Sequence, residues 1–208
     1  MLFKRHSFAF ITFVGLASLA MYWIIFNLST AMTGDKVTDY YHFHWNFWWV
    51  RQVLTTPGLN IYETNYVFAP ATSSLALHTL SLFWYPIWAV IEPVAGTFTA
   101  MTLISIIAFA LNGYLFFLLL RREGVSYGLA LVGGAMLELS PVLFVALKWT
   151  NLNLYGWFWI PALILIWGQV ADKVARPKHS LFERPLVWAV ILGVALWLMI
   201  LTDIQYPL

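Results

Sequence analysis

The sequence predicts an all-α membrane protein that crosses the bilayer several times. Of its 208 residues, 62% are hydrophobic and only 10% are charged, and its mean hydropathy is +0.78. A soluble domain needs a larger charged surface around its apolar core. The charged residues fall mainly at the ends of long apolar runs, where they orient spanning helices. We therefore expect about five transmembrane helices, and two juxtamembrane helices in the first extracytoplasmic loop.

Composition also excludes several classes of function. A net charge of +2 is too small to predict a nucleic-acid partner. The absence of cysteine excludes disulfides, thiolate catalysis and cysteine metal sites, and no glycine-rich phosphate loop follows a strand. We expect residues 1–208 to form one transmembrane domain. The chain stops directly after an apolar run, which predicts that this domain is the N-terminal part of a longer protein.

The first apolar run, Phe8–Leu28, has two interpretations. The basic residues Lys4 and Arg5, together with small residues at Ala17 and Ala20, are also typical of signal peptides. However, the run is longer than a signal-peptide core and matches the roughly 20 residues needed to span a bilayer. We predict an uncleaved helix that starts in the cytoplasm.

The first extracytoplasmic loop, residues 29–97, is expected to hold two helices that do not cross the membrane. Asp39–Leu54 lacks Gly and Pro, has Thr38 as a candidate N-cap, and is rich in the Trp and Tyr typical of the headgroup level. Leu75–Val90 is apolar again. If it spanned, the Arg121–Arg122 pair after the next helix would lie outside, against the positive-inside rule. We therefore predict a juxtamembrane or re-entrant helix.

Four spanning helices are predicted after this loop, at Phe98–Leu120, Tyr127–Leu147, Leu154–Ala171 and Pro185–Leu201. The loop between the last two helices carries the strongest basic cluster and should be cytoplasmic, which places the turn KWTNLN outside. Close contact between helices is predicted at three glycines, Gly133, Gly134 and Gly193.

This topology separates the charges of the chain. The cytoplasmic ends would hold eight basic residues, Lys4, Arg5, Arg121, Arg122, Lys173, Arg176, Lys178 and Arg184. The extracytoplasmic side would hold five of the carboxylates, Asp35, Asp39, Glu63, Glu92 and Asp203. Carboxylates that could take part in catalysis are thus expected on one face, beside aromatic surface and lipid.

The order of these segments resembles the GT-C superfamily of polytopic membrane glycosyltransferases. One helix is followed by an acidic loop, an aromatic helix (DYYHFHWNFWWVRQVL) and a second juxtamembrane segment (FAPATSSLALHTLSLFWYPIW). A spanning helix ending in LLLRREG, a helix with LELSPVLF and the turn KWTNLNL come next. The resemblance is strongest to a bacterial branch of uncharacterised members. It implies an inner-membrane enzyme that takes a sugar from a polyprenyl-phosphate carrier and passes it to a lipid, glycan or protein acceptor.

In such enzymes an acidic residue of the first outer loop is thought to act as general base or to organise a divalent metal such as Mg²⁺ or Mn²⁺. The resemblance thus makes Asp39, directly before the aromatic helix, the first candidate and Asp35 the second. Chemically, a carboxylate within hydrogen-bond reach of the acceptor hydroxyl can accept its proton. The alternative is structural, because a carboxylate also stabilises a helix N-terminus by about 0.3 to 1 kcal/mol.

Donors for the phosphate or sugar of the substrate are predicted at Lys148, His78, Arg51, Asn151 and Asn153. Lys148 lies in the outer turn and is the nearest candidate cation for a lipid phosphate, although a lysine at a helix end also snorkels to the interface without binding a ligand. Arg51 has the same two interpretations. His78 could face the donor phosphate or be a satisfied histidine beneath the first loop.

Other polar residues have weaker or different assignments. His42 and His44 form an H-x-H pair, but on a helix two positions apart point to nearly opposite sides and do not share one metal ion. Glu138 lies midway along a predicted span, where an unpaired carboxylate is costly, so it should be neutral, paired or facing a polar cavity. Asp203, with Tyr206 after it, is a candidate second acid or an interfacial cap.

Two other classes of function remain open on sequence grounds. A transporter or lipid flippase would also contain several helices and an intramembrane carboxylate such as Glu138. A non-catalytic assembly subunit would share the same fold. Against transport, the polar residues concentrate in an outer loop and not at the midplane of the membrane.

Overall fold

The computed structural model describes residues 2–31, 34, 39–175 and 184–203. Most of this part of the chain is helical, and two strands of two residues each pair as a small antiparallel sheet. The elements are α1 (Leu2–Ala20), α2 (Tyr22–Ile25), α3 (Tyr40–Thr55), β1 (Glu63–Thr64), β2 (Ser73–Ser74), α4 (Tyr85–Arg122), α5 (Tyr127–Glu138), α6 (Pro141–Trp149), a 3₁₀ helix (Leu152–Phe158), α7 (Trp159–Ala175) and α8 (Pro185–Thr202).

Four helical segments of the described chain are long and apolar enough to cross a membrane. They are Tyr85–Arg122, Tyr127–Trp149, Leu152–Ala175 and Pro185–Thr202, and a shorter apolar helix covers His6–Ala20. Such lengths match the bilayer because each helical residue rises about 1.5 Å. The predicted class, an all-α polytopic membrane protein, is confirmed.

Contacts between the helices define two ends of the bundle. At one end the Arg122 guanidinium is 2.6 Å from the Asp172 carboxylate, which ties the end of α4 to the end of α7. At the other end the Trp159 indole donates to the Thr202 hydroxyl (2.9 Å), and the Asp39 amide donates to the Trp149 carbonyl (3.3 Å). We call these the Arg122 end and the Asp39 end.

A close contact between helices α1, α4 and α5 lies around glycine. A Cβ built on Gly134 would be 2.6 Å from the backbone oxygen of Gly113 and 2.6 Å from Cζ of Phe13. The prediction that Gly134 is a packing point agrees with this geometry. The same prediction for Gly193 is wrong, because nothing lies within 4 Å of a Cβ built there.

The second juxtamembrane segment differs from the prediction. Leu75–Val90 is not one helix, since residues 75–84 are irregular and α4 begins only at Tyr85. The irregular part is held by contacts distant in sequence, where Ser81 Oγ donates to the Thr202 carbonyl (3.2 Å) and the Phe83 amide donates to the Leu201 carbonyl (3.1 Å). These bonds to the end of α8 replace the local bonds that a helix would make.

The start of α4 and its later kink follow from local chemistry. Pro86 lies in the first turn, where its missing N–H costs no helical hydrogen bond. Gly96 adopts φ 80° and ψ 162° and breaks the helical path within the predicted PVAGT turn. The part before Gly96 stays at the Asp39 end, and the part after it runs to the Arg122 end.

Other predicted spans are interrupted as well. Tyr127–Leu147, predicted as one helix, divides into α5 and α6 at Ser140, because the residue before Pro141 favours an extended backbone (φ −67°, ψ 147°). The first helix is broken at Met21. The third span begins as a 3₁₀ helix and becomes α-helical at Trp159. By contrast, α8 agrees with the predicted Pro185–Leu201 to within one residue.

Candidate functional site

The first carboxylate of the candidate site, Asp39, lies at the N-cap position of α3 and is exposed. Its side chain makes no capping hydrogen bond to the helix. With its amide oriented by its hydrogen-bond partners, Asn151 donates from Nδ2 to Asp39 Oδ2 (2.5 Å) and to the Trp149 carbonyl (3.2 Å). Its carboxylate thus binds Asn151 and makes no hydrogen bond to the helix, while its electrostatic effect on the helix N-terminus stays a prediction. The predicted N-cap, Thr38, lies outside the described residues.

The second carboxylate, Asp203, follows α8 and is 2% exposed. Asn153 Nδ2 donates to Asp203 Oδ2 at 2.6 Å. Asn151 lies in the turn after α6, and Asn153 is the second residue of the 3₁₀ helix that follows. This short segment thus holds one carboxylate through each of its two asparagines. We call Asp39, Asn151, Asn153 and Asp203 the Asp39 cluster.

A small cleft opens beside this cluster. Its volume is about 130 Å³, and it lies between the irregular residues 76–82 and the end of α8, with Tyr62 at its rim. Its polar wall includes His78, Ser81 and Asp203. At about 30 Å³ per water, this volume holds a few waters or one small polar group. The cleft places one predicted histidine and one predicted carboxylate at the same opening.

His78 is a satisfied histidine. Asn46, which is fully buried on α3, donates from Nδ2 to the Thr79 carbonyl (2.8 Å), so its Oδ1 accepts from His78 Nε2 (2.7 Å). This assigns the proton of the neutral ring to Nε2. Burial, and then the neighbouring His42 ring at 4.3 Å between centroids, lower the pKa of His78 to about 4. A neutral His78, with its Nε2–H donated to Asn46, can accept a hydrogen bond at Nδ1, but it supplies no positive charge for a phosphate.

The two histidines of the H-x-H pair contact different neighbours. His42 stacks against His78, and burial lowers its pKa despite the nearby Asp39 carboxylate. His44 Nδ1 is 2.7 Å from the Thr97 hydroxyl, and burial lowers its pKa to about 4. Within the described residues, no group of three or more His, Asp or Glu could hold a metal ion.

The two predicted cations lie in different surroundings. Lys148, in the last turn of α6, is exposed, with Nζ 5.9 Å from the centre of the Trp149 ring, and borders the turn that carries Asn151. Arg51 lies twelve residues after Asp39 on α3, which is about 18 Å along the helix. Its guanidinium is paired with Glu92 at 2.5 Å. The structure thus places Arg51 outside the Asp39 cluster.

Glu138 is fully buried at the end of α5, away from the Asp39 cluster. Neither carboxyl oxygen has a hydrogen-bond partner, and Oε2 would be 2.8 Å from a Cβ built on Gly113. Whether it is neutral, paired or facing a polar cavity stays a prediction. Asp35 and Tyr206, the remaining candidates, lie outside the described residues.

Residues that sequence reasoning did not single out also shape the site. Asn46 links α3 to the backbone of Thr79 and to His78. Thr202 accepts from Trp159 through its hydroxyl and from Ser81 through its carbonyl. A buried asparagine in an aromatic helix is a signal that could have been used, because a buried amide needs partners. Thr202 had no comparable signal.

The chain matches no family model, no curated protein and no solved structure. The resemblance to GT-C glycosyltransferases therefore stays a prediction from the sequence pattern. What the geometry adds is a set of groups with defined chemistry. An exposed carboxylate is fixed by an amide donor, a second carboxylate is buried beside it, and a neutral histidine lies at the mouth of a small cleft.

Proposed function

We propose that this protein is a membrane glycosyltransferase that uses a polyprenyl-phosphate sugar as donor. The observation that carries the proposal is the Asp39 cluster, in which Asn151 holds Asp39 at 2.5 Å and Asn153 holds Asp203 at 2.6 Å. Four residues chosen as candidates from distant parts of the sequence meet there. The cluster also lies at an end of a membrane bundle, where a lipid-linked donor and a polar acceptor can both reach it.

The sidedness of the site follows from charge. Most of the positive charge lies near the start of the chain, at the end of α4 and in the stretch from Lys173 to Arg184. The positive-inside rule assigns these segments to the cytoplasm. The Asp39 end then faces outward. Transfer at that face needs a sugar that already carries an activating leaving group when it reaches the outer side, because nucleotide sugars are confined to the cytoplasm. A polyprenyl-phosphate sugar meets that requirement.

In the proposed reaction Asp39 acts as general base. Its carboxylate takes the proton of the acceptor hydroxyl while that oxygen bonds to the anomeric carbon, and the bond between this carbon and the phosphate oxygen breaks. The electron pair leaves with the polyprenyl phosphate, which is already an anion and needs little protonation. Asn151 orients the carboxylate, and Lys148 is the nearby cation that can receive the phosphate.

The test is transfer by the purified chain in proteoliposomes. Undecaprenyl-phosphate mannose and undecaprenyl-phosphate glucose, each radiolabelled in the sugar, are offered with a membrane-lipid and glycan extract, and loss of label from the donor is measured. Asp39→Asn keeps the shape and a hydrogen-bonding partner for Asn151 but removes the base, so we expect transfer to fall about 10² to 10⁴-fold. Glu63→Gln, at an exposed strand position, is the matched control and should leave the rate unchanged.

Two outcomes would overturn the proposal. If Asp39→Asn and Asp203→Asn both transfer at the rate of the unchanged chain, the cluster is not catalytic. If the chain consumes neither donor but moves intact donor lipid between leaflets, measured by periodate access to its sugar, the protein is a flippase. Retained elution volume and helical circular dichroism in each variant separate loss of chemistry from loss of fold.

A further inference from the structure

A second polar cleft lies on the far half of α3, separate from the Asp39 cluster. It is enclosed by α3 and by the first turns of α4, up to the residue after the Gly96 kink, and its volume is about 300 Å³. Its lining consists of three tryptophans and four polar residues, namely Trp45, Trp48, Trp88, His44, Arg51, Glu92 and Thr97. We call it the tryptophan cleft.

The polar groups of this cleft are organised by one another. Arg51 pairs with Glu92 at 2.5 Å, and its Cζ lies 4.3 Å from the centre of the Trp88 ring. The Trp88 indole donates to the Thr97 hydroxyl at 3.2 Å, which leaves the Thr97 hydrogen for His44 Nδ1 at 2.7 Å. Two connected sets of contacts thus hold the walls in one arrangement, which lowers the entropic cost of binding a ligand.

The chemistry of the cleft excludes two kinds of ligand. The charge of Arg51 is compensated by Glu92, and His44 is neutral at pH 7, so the cleft offers no net positive charge to a phosphate. A quaternary ammonium group would need a free indole face beside a carboxylate. The guanidinium of Arg51 already occupies the Trp88 ring and would repel a second cation.

A neutral ring sugar fits the indole surface and the paired polar groups that line the cleft. Trp48 is 36% exposed and offers an indole surface, while Trp88 is 3% exposed and forms part of the wall. The negative face of an indole attracts the partly positive C–H groups on the flat side of a pyranose. Arg51 and Glu92 are partly exposed, at 32% and 22%, and can donate to and accept from sugar hydroxyls. A volume equal to about ten waters holds one hexose but not a lipid chain.

We infer that the tryptophan cleft binds a neutral hexopyranose unit. This assignment concerns binding alone and stands without the proposed transfer reaction. It also gives α3 two separate tasks. Asp39 at the start of the helix belongs to the candidate reaction site, and the cleft begins five residues later at His44, which is about 8 Å along the helix axis.

The test is ligand-observed binding to the full chain. The protein is placed in nanodiscs of phosphatidylethanolamine and phosphatidylglycerol, because glycoside detergents would occupy the cleft. Saturation-transfer difference NMR is recorded with methyl α-D-mannopyranoside and methyl β-D-glucopyranoside, and in parallel with phosphocholine and inorganic phosphate. We expect millimolar binding of at least one glycoside, and no comparable binding of phosphocholine or phosphate.

Variants locate the binding. Trp48→Ala should weaken glycoside binding at least about tenfold, as loss of a central aromatic anchor does, whereas Trp48→Phe keeps a ring and should retain most of it. Trp157→Ala is the matched control, because Trp157 is 38% exposed and lies on the 3₁₀ helix outside this cleft. Glu92→Gln should weaken glycoside binding and, by leaving Arg51 uncompensated, introduce binding of inorganic phosphate.

Any of four results would overturn the inference. The first two are that no glycoside binds, or that Trp48→Ala binds it as tightly as the unchanged chain does. The others are that Trp157→Ala loses as much glycoside binding as Trp48→Ala, or that phosphocholine binds more tightly than either glycoside. Asp39→Asn must keep glycoside binding, since it lies outside the cleft. That variant separates the two proposals, because it is expected to abolish transfer while leaving binding intact.

Discussion

The contact between α4 and α5 leads to a quantitative prediction about stability. In Gly134→Ala the new methyl carbon would lie 2.6 Å from the Gly113 oxygen, 2.6 Å from Phe13 Cζ and 2.9 Å from Phe13 Cε1. Ordinary contacts at such positions begin near 3.4 Å, so α5 must move away by roughly 0.8 Å or its neighbours must shift. Since one of these neighbours is backbone, we expect an overpacking cost of about 1 to 3 kcal/mol.

The matched control is Gly128→Ala in the same helix. Nothing lies within 4 Å of a Cβ built on Gly128, so the substitution brings the helix propensity of alanine without a clash. At about 2 to 4 °C per kcal/mol for a chain of this size, Gly134→Ala should unfold about 2 to 12 °C below Gly128→Ala. Both are measured in one detergent at one heating rate, because thermal unfolding of membrane proteins is commonly irreversible.

A second substitution keeps this prediction testable. Phe13→Leu removes two of the three close atoms, so in its presence the difference between Gly134→Ala and Gly128→Ala should shrink but not vanish, because the Gly113 oxygen remains. If Gly134→Ala is as stable as Gly128→Ala, the two helices are not in close contact, and the description of this interface is wrong.

Three further predictions concern titratable groups. Asn151→Asp replaces the donor to Asp39 with a second carboxylate. Because two carboxylates at that distance share a proton, the acidic limb of the pH profile of transfer should move to higher pH. An unchanged profile would argue against Asp39 as the base. His78, with a pKa of about 4 when folded and an ordinary value near 6.5, binds its proton more readily when unfolded, so thermal stability should be full above pH 6.5 and fall towards pH 4. His78→Asn should reduce that dependence in a series of melting scans, and the remainder comes from His42 and His44, whose pKa values burial also lowers. Glu138→Gln keeps the size of a buried side chain that has no hydrogen-bond partner and should leave transfer unchanged, whereas Glu138→Ala should lower the melting temperature by leaving a cavity.

The long apolar helices could be predicted because length and hydropathy alone decide them. Pro185–Leu201 was predicted within one residue of α8, and the predicted aromatic helix Asp39–Leu54 agrees with α3 within one residue at each end. The irregular residues 75–84 could not be predicted, because their backbone is held by the end of α8, more than a hundred residues away. The local sequence pattern does not predict hydrogen bonds between residues so far apart in the chain, although Pro141 did mark the break between α5 and α6.

The candidate site, like the fold, could be predicted only in part. Topology alone predicted that Asp39, Asn151, Asn153 and Asp203 would share one side of the membrane, since each lies at the corresponding end of its helix. It could not predict which side chains would meet. Arg51 shows the limit, because its phosphate-binding role was proposed from charge and position, whereas its partner Glu92 becomes visible only once α3 and α4 are in contact.

Two residues with an unusual backbone conformation lie at the Asp39 end. Among the described residues, the non-glycine residues with positive φ are Ser81 (51°) and Thr150 (53°). A non-glycine residue in this region costs of order 1 to 3 kcal/mol and persists only where the surroundings impose it. Thr150 directly precedes Asn151, and Ser81 lines the cleft that contains Asp203. Both positions thus adjoin residues of the Asp39 cluster.

That distribution has a physical explanation. Thr150, in the left-handed region, ends α6 in a Schellman motif, in which its amide donates to the Leu147 carbonyl (3.1 Å) and the Asn151 amide donates to the Ala146 carbonyl (2.9 Å). The same chain reversal directs the Asn151 side chain to Asp39. One backbone conformation thus both ends the helix and positions the side chain that fixes a carboxylate.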